Sequence, residues 1–229
     1  MGRVLGSAVR GAPRSRPHAG PPFRRALNLV EEDIELADGL RLSILRPPSA
    51  DELIDEAAFD EEEFLPYWAE LWPSGLALAR YVSGLELARR KVLELGCGLG
   101  LPSLAAALRG ADVFATDWAD DAIELLRGNA RRNARRNGAP LRVERVRWSE
   151  PEPLLQGAPW DLVLGADLLY EERNAEQLAA LLPRLGNEIV LAEPGRPYAG
   201  AFLERFSAEP VAERIYRLRR LIPKCRGAG

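Results

Sequence analysis

Residues 91–110 read KVLELGCGLGLPSLAAALRG, and the order of elements in this stretch decides the fold. KVLEL is an apolar run of strand length, and LPSLAAALRG has the apolar spacing of a helix. Between them stand Glu94-Leu95-Gly96-Cys97-Gly98-Leu99-Gly100. Gly96 and Gly98 let the backbone turn tightly and approach a ligand closely. A strand, a glycine-rich turn and a helix open a doubly wound α/β sheet. In such sheets ligands bind at the carboxyl ends of the strands, beside the switch in strand order.

The pattern repeats downstream. DVFAT (112–116) is a second strand, with a helix from Ala119 to about Arg136. LRVERVRW (141–148) is a third strand. DLVLGA (161–166) is a fourth, preceded by the core residue Trp160 and followed by a helix from Arg173 to Leu185. EIVLAE (188–193) is a fifth, with a helix near Tyr198 to Phe206. RIYRLRRL (214–221) alternates and reads as a last, edge-like strand. The room left between Phe206 and Leu221 implies a truncated or irregular sixth strand. Strands alternating with helices predict an α/β, Rossmann-like sheet of seven strands, mostly parallel with an antiparallel last strand.

Upstream, DIELADGLRLSIL (33–45) alternates on either side of Asp38-Gly39, a hairpin signal. ADELIDEAAFDEEE (50–63) is acidic and reads as helix. LPYWAELWPSGLALARYV (65–82) has helical recurrence, interrupted at Pro73-Ser74-Gly75, with Pro73 placed to open a new helix. Within it Trp68 and Trp72 lie four apart and are expected on one helical face. Residues 1–26 are rich in Pro, Gly and Arg and sustain no period, so a disordered tail is expected before a single domain over 27–229.

The turn at 94–100 also restricts the ligand. A dinucleotide fingerprint, G-x-G-x-x-G, fails at Leu101. The pattern present is acidic-x-G-x-G-x-G, adding Gly100. Glu94 suits a ligand bearing an ammonium and would repel a pyrophosphate. The second strand ends in Thr116-Asp117, and an acidic residue there can accept hydrogen bonds from ribose hydroxyls. S-adenosylmethionine carries an ammonium, a sulfonium, a ribose and an adenine, and no phosphate, so it fits better than NAD.

PYWAELWPSGLALARYV, VLELGCGLGLPSLAAALRGA, ATDW and VLGADLLYEE together resemble the seven-stranded protein methyltransferases of the lysine-modifying group. The likeness is greatest to the electron-transfer-flavoprotein β-subunit lysine methyltransferases and their bacterial relatives. The resemblance implies S-adenosylmethionine as cofactor and a lysine-bearing protein as substrate. By position it places Trp72 against the methionine end of the cofactor and Gly96, Cys97 and Gly98 beneath it. It gives Asp117 the ribose, and it sets Trp118 and Trp148 beside the adenine and Ala166 under the transferred methyl. The family has an acidic residue before that second tryptophan; this chain has Arg147. Asp167 is implied to orient the acceptor and Tyr170 to wall its pocket. The same sheet also serves small-molecule N-methyltransferases and non-catalytic binding modules.

Composition narrows the classes. With 47% hydrophobic residues the chain can bury a sizeable core. The formal net charge is −3, and no apolar run reaches the roughly 18 residues that span a bilayer. Neither nucleic acid nor membrane is therefore expected as partner, and a cytoplasmic monomer is. The arginines from Arg127 to Arg136 spread over several helix faces, which reads as a solvated surface. The one histidine, His18, lies in the tail, and the two cysteines, Cys97 and Cys225, offer no metal-ligand spacing. A histidine triad or a zinc centre inside the domain is excluded.

Overall fold

The structure, a computed structural model, describes residues 28–53, 66–134 and 141–219. The predicted tail and most of the acidic stretch lie outside the described residues. The apolar runs form β3 (Lys91–Leu95), β4 (Asp112–Asp117), β5 (Leu141–Arg145), β6 (Leu162–Ala166) and β7 (Glu188–Ala192), all parallel. Two antiparallel strands, β8 (Glu209–Ala212) and β9 (Ile215–Arg219), complete a seven-stranded sheet of order β5-β4-β3-β6-β7-β9-β8.

The runs are continuous because helices cover both faces of the sheet, yet alternation still sorts them. Val92, Val113, Leu164 and Val190 pack with α1 (Pro73–Ser83), α2 (Leu101–Leu108) and α3 (Asp120–Ala134). Leu93, Leu95, Phe114, Val163 and Leu191 face α4 (Glu152–Gln156), α5 (Glu172–Leu185) and α6 (Ala199–Arg205). Trp160 is core, as expected: its ring stacks on Phe114 at 5.7 Å and its Nε1 donates to Leu154 O at 2.9 Å. From β3 the chain adds β4 and β5 on one side and β6 and β7 on the other. The switch in order therefore falls between β3 and β6, where the carboxyl ends of the strands open a crevice.

Three expectations need correction. The last strand is not the edge: β9 lies between β7 and β8. β8 has four residues, contains Pro210 and shifts register beside it. A proline cannot donate to a ladder and is tolerated at an edge, so the longer β9 takes the interior place. The third strand stops at Arg145, because the bond from Val146 N to Asp117 O is its last rung beside β4. Trp148 thus sits in the loop beyond. Finally, Trp68 and Trp72 do not share a helix. Tyr67–Ala69 is a single 3-10 turn, and Trp72 is extended at φ −64°, ψ 132°. Pro73 forces this, since the residue before a proline is pushed out of the helical region.

The predicted hairpin is β1 (Val30–Glu35) and β2 (Arg41–Arg46), joined through a 3-10 turn at Ala37–Gly39. It buries Ile34, Leu42 and Ile44 in the α1–α3 layer. Two buried asparagines of α3 clamp it. Asn133 accepts from Ser43 N at 3.1 Å and donates to Ser43 O at 2.9 Å. Asn129 does the same to Leu45, at 2.8 and 2.9 Å. Residues four apart on a helix are close neighbours, and so are residues two apart on a strand, so the two rows match. Asn129→Ala leaves the part-buried N–H and C=O of Leu45 without these partners. It is expected to cost about 2–3 kcal/mol of unfolding free energy in urea titration.

Candidate functional site

The loop after β3 supports the crevice. Gly96, Gly98 and Gly100 all have positive φ, at 58°, 48° and 72°. A Cβ on Gly98 would stand 3.1 Å from Trp68 O. Cys97 N donates to Thr116 O and Cys97 O accepts from Gly100 N. Burial raises the Cys97 thiol well above the usual thiol range, so this residue serves through its backbone. Asp117 ends β4 with its carboxylate 6% exposed. One oxygen accepts from Gly98 N at 2.9 Å and the other from Ala119 N at 3.0 Å. The acidic residue thus ties the glycine loop to the start of α3.

Glu94 points to the α2 side of the sheet, at a position its neighbours fill with apolar side chains. Its Oε2 accepts from Ser103 N at 2.8 Å and from the Ser103 hydroxyl. Burial pushes its pKa up to about 8, against the hydrogen bonds from Ser103 that lower it. The folded state therefore holds a proton that the unfolded chain releases above the ordinary glutamate range. The contribution of Glu94 to stability is full below pH 4.5 and is lost as pH rises to about 8. Glu94→Gln is expected to flatten this decline, by about 3 kcal/mol between pH 5 and 8, in urea titrations across that range.

Two cavities adjoin above the loop. One, of about 340 Å³, is lined by Trp72, Glu94, the glycine loop, Ala166, Asp167 and Arg196, among others. The other, of about 490 Å³, is lined by Trp118, Arg147, Trp148 and Asn174. Gly96, Asp117, Trp118, Trp148 and Tyr170 border both. All the residues expected at the site thus border a single crevice. Trp72 donates its Nε1 to Tyr67 O at 2.7 Å, and Tyr67 packs against Tyr170 at 5.6 Å. Trp118 stays 37% exposed, its carbonyl taken by Arg145.

Asp167 is not a helix cap: α5 starts at Glu172, with Glu171 as its N-cap. It sits at φ 57°, and both its oxygens are held by Arg196, at 2.7 and 3.0 Å. The guanidinium also lies over the Trp72 ring at 5.6 Å. Arg196 is aimed by Glu193, whose Oε1 accepts from Gly195 N and Arg196 N at 2.9 and 2.7 Å. Sequence reasoning missed Arg196 and Glu193. Their only trace is Glu193-Pro194-Gly195-Arg196 after the fifth strand, where a turn at a strand end carries the ligand-facing residues of such sheets.

The fold and crevice define a Rossmann-like domain of the kind that holds S-adenosylmethionine-dependent transferases. A family profile described as lysine methyltransferase matches residues 59–193, and the chain belongs to that family. The electron transfer flavoprotein beta subunit lysine methyltransferase of Danio rerio is 39% identical over 140 residues, which are 57% of this chain and 51% of that protein. The protein N-lysine methyltransferase METTL21A of the same organism is 30% identical over 154 residues, 62% of this chain and 70% of that protein. The chain spans 51% and 59% of the length of two flavoprotein-methyltransferase relatives. Among solved structures, the 16S rRNA N2 G1207 methyltransferase of T. thermophilus, in complex with AdoMet and guanosine, superposes with a TM-score of 0.60 at 19% identity. It covers 88% of this chain and 52% of its own, and the likeness concerns the fold.

Proposed function

We propose that this protein transfers the methyl group of S-adenosylmethionine to a lysine side chain of another protein. The carrying observation is the meeting of two sets of residues in one cavity. The glycine loop and Asp117 line it together with Trp72, Asp167 and Tyr170. The residues fit the cofactor. We assign Asp117 to the ribose, and Trp118 and Trp148 to the adenine. Several carboxylates and one guanidinium line the cavity, a balance that favours a cation. When bound, the cofactor supplies an electrophilic methyl group on a sulfonium.

The chain's own part is to exclude water and to align a neutral amine. Tyr67, Trp72 and Tyr170 form an aromatic mouth that desolvates the amine and disfavours its ammonium form. Asp167, next to that mouth, orients the amine N–H bonds. The relatives' names make the electron-transfer flavoprotein β-subunit the first acceptor to try.

The test is to incubate the protein with radiolabelled S-adenosylmethionine and an extract of its source cells, beside an Asp167→Ala control. A single labelled protein band, absent from the control and modified on lysine by mass spectrometry, is expected. Label confined to small molecules would overturn the protein acceptor. Cofactor binding with no transfer at all would overturn the enzymatic reading.

A further inference from the structure

The reading above leaves an electrostatic conflict. A lone carboxylate beside an amine stabilises the ammonium, which has no lone pair for transfer. Asp167 is not alone, however. Arg196 holds both its oxygens in a two-point pair, with the carboxylate side chain 6% and the guanidinium 35% exposed. Arg196 is itself fixed by the Trp72 ring beneath it and by the Glu193 carboxylate under its backbone.

We propose that Arg196 is a positioning residue for methyl transfer: it holds Asp167 in place and cancels its charge, so that Asp167 orients an amine without stabilising its ammonium form. Each carboxylate oxygen has two lone-pair sites, and the pair with Arg196 uses one on each. The others remain to accept N–H bonds from an incoming amine. The nitrogen then bonds to the methyl carbon as the carbon–sulfur bond breaks. Sulfur leaves as a neutral thioether, and the nitrogen carries the positive charge until it sheds a proton to water.

The surroundings make this cancellation necessary. Tyr67 and Glu70 before α1, Glu94 of β3 and Asp117 of β4 line the same cavity. Tyr170 and Glu171 line it from the segment before α5, and Glu193 stands behind Arg196 after β7. Arg196 is the one cation in that lining among the described residues. Glu94, protonated at pH 7, adds no charge, and Glu171 is paired with Arg173, so without Arg196 the charges of Asp167, Asp117 and Glu70 would meet no cation in the lining.

The proposal rests on the methyltransferase reading, but it can be tested without activity. Two probes differ at the reacting centre: S-adenosylhomocysteine has a neutral thioether there, and sinefungin an amine. Their affinities are measured by calorimetry at pH 7 for the wild type, Arg196→Met, Arg196→Lys and the double variant Asp167→Asn/Arg196→Met. Arg196→Met is expected to raise the preference for sinefungin about tenfold, the low end of what an opposite charge at close range does to a protonation equilibrium. Arg196→Lys keeps the charge but loses the two-point hold and the stacking on Trp72, so its ratio is expected to lie between the wild type and Arg196→Met. The double variant, with both charges gone, is expected to return to the wild-type ratio. Arg196→Gln replaces the methionine variant if that does not fold.

In methyl transfer, the acidic limb of the pH–rate profile should move up by about one unit in Arg196→Met and by less in Arg196→Lys. An unchanged ratio in Arg196→Met, or a double variant that stays shifted, overturns the proposal. A wild type that binds both probes yet methylates no protein overturns the function proposed above, while the affinity ratios still decide the role of Arg196.

Discussion

Asp117→Asn is expected to weaken S-adenosylmethionine binding about 100-fold in calorimetry, with the fold retained in circular dichroism. The substitution keeps size and shape and changes only the oxygens. In the native protein both oxygens accept backbone N–H groups, from Gly98 and from Ala119. An amide offers one acceptor and one donor, so one of the two N–H groups must face an NH2. The lost bond and the buried donor pair cost about 3 kcal/mol together, which is about 100-fold in affinity if the cost falls on the loop that meets the ligand. The ribose contact assigned to this carboxylate is weakened as well. A loss of less than threefold would remove Asp117 from the cofactor site.

Gly100→Ala is expected to have a large effect on stability, lowering unfolding free energy by about 2–4 kcal/mol in urea titration. Two costs add. At φ 72° the left-handed conformation costs a residue with a Cβ about 1 kcal/mol. That Cβ would also lie 2.4 and 2.5 Å from the two Leu126 methyl groups. Leu126 is fully buried in the α1–α3 layer, so its methyl groups would have to give way within the packed core. Overpacking of this kind costs about 1–3 kcal/mol. Gly128 makes a useful contrast, because a Cβ there meets nothing within 4 Å. Gly128→Ala, at a half-buried position of α3, should be neutral or mildly stabilising.

The sequence made legible what depends on neighbours along the chain. The order of strands and helices, the turn at 94–100, and Asp117 one strand later are all local signals. They found their places because a parallel sheet brings the carboxyl ends of its strands to one edge. Contacts that depend on distant partners could not be read. Arg196 gains its meaning from Asp167, 29 positions earlier, and from Trp72. Asn129 and Asn133 read as ordinary polar residues of an arginine-rich helix, because nothing local shows that a hairpin 84 and 90 positions away covers them. Glu94 was half legible: it lines the cavity, but its carboxylate turns toward Ser103 and carries a proton well above the usual glutamate range. Trp68 and Trp72 misled because spacing alone cannot see the restriction that Pro73 puts on the residue before it.

The asparagine clamp has a consequence for how the molecule meets its neighbours in solution. A strand with free N–H and C=O groups along one side invites pairing with any extended chain, and a two-stranded sheet has two such sides. On β2, the side away from β1 gives the amide and carbonyl of Ser43 and Leu45 to side chains of α3. A helix thus stands in for the missing third strand, sealing that border from within. Strand addition there would first have to pull the hairpin off α3, so the clamp protects the folded chain against edge-to-edge self-association.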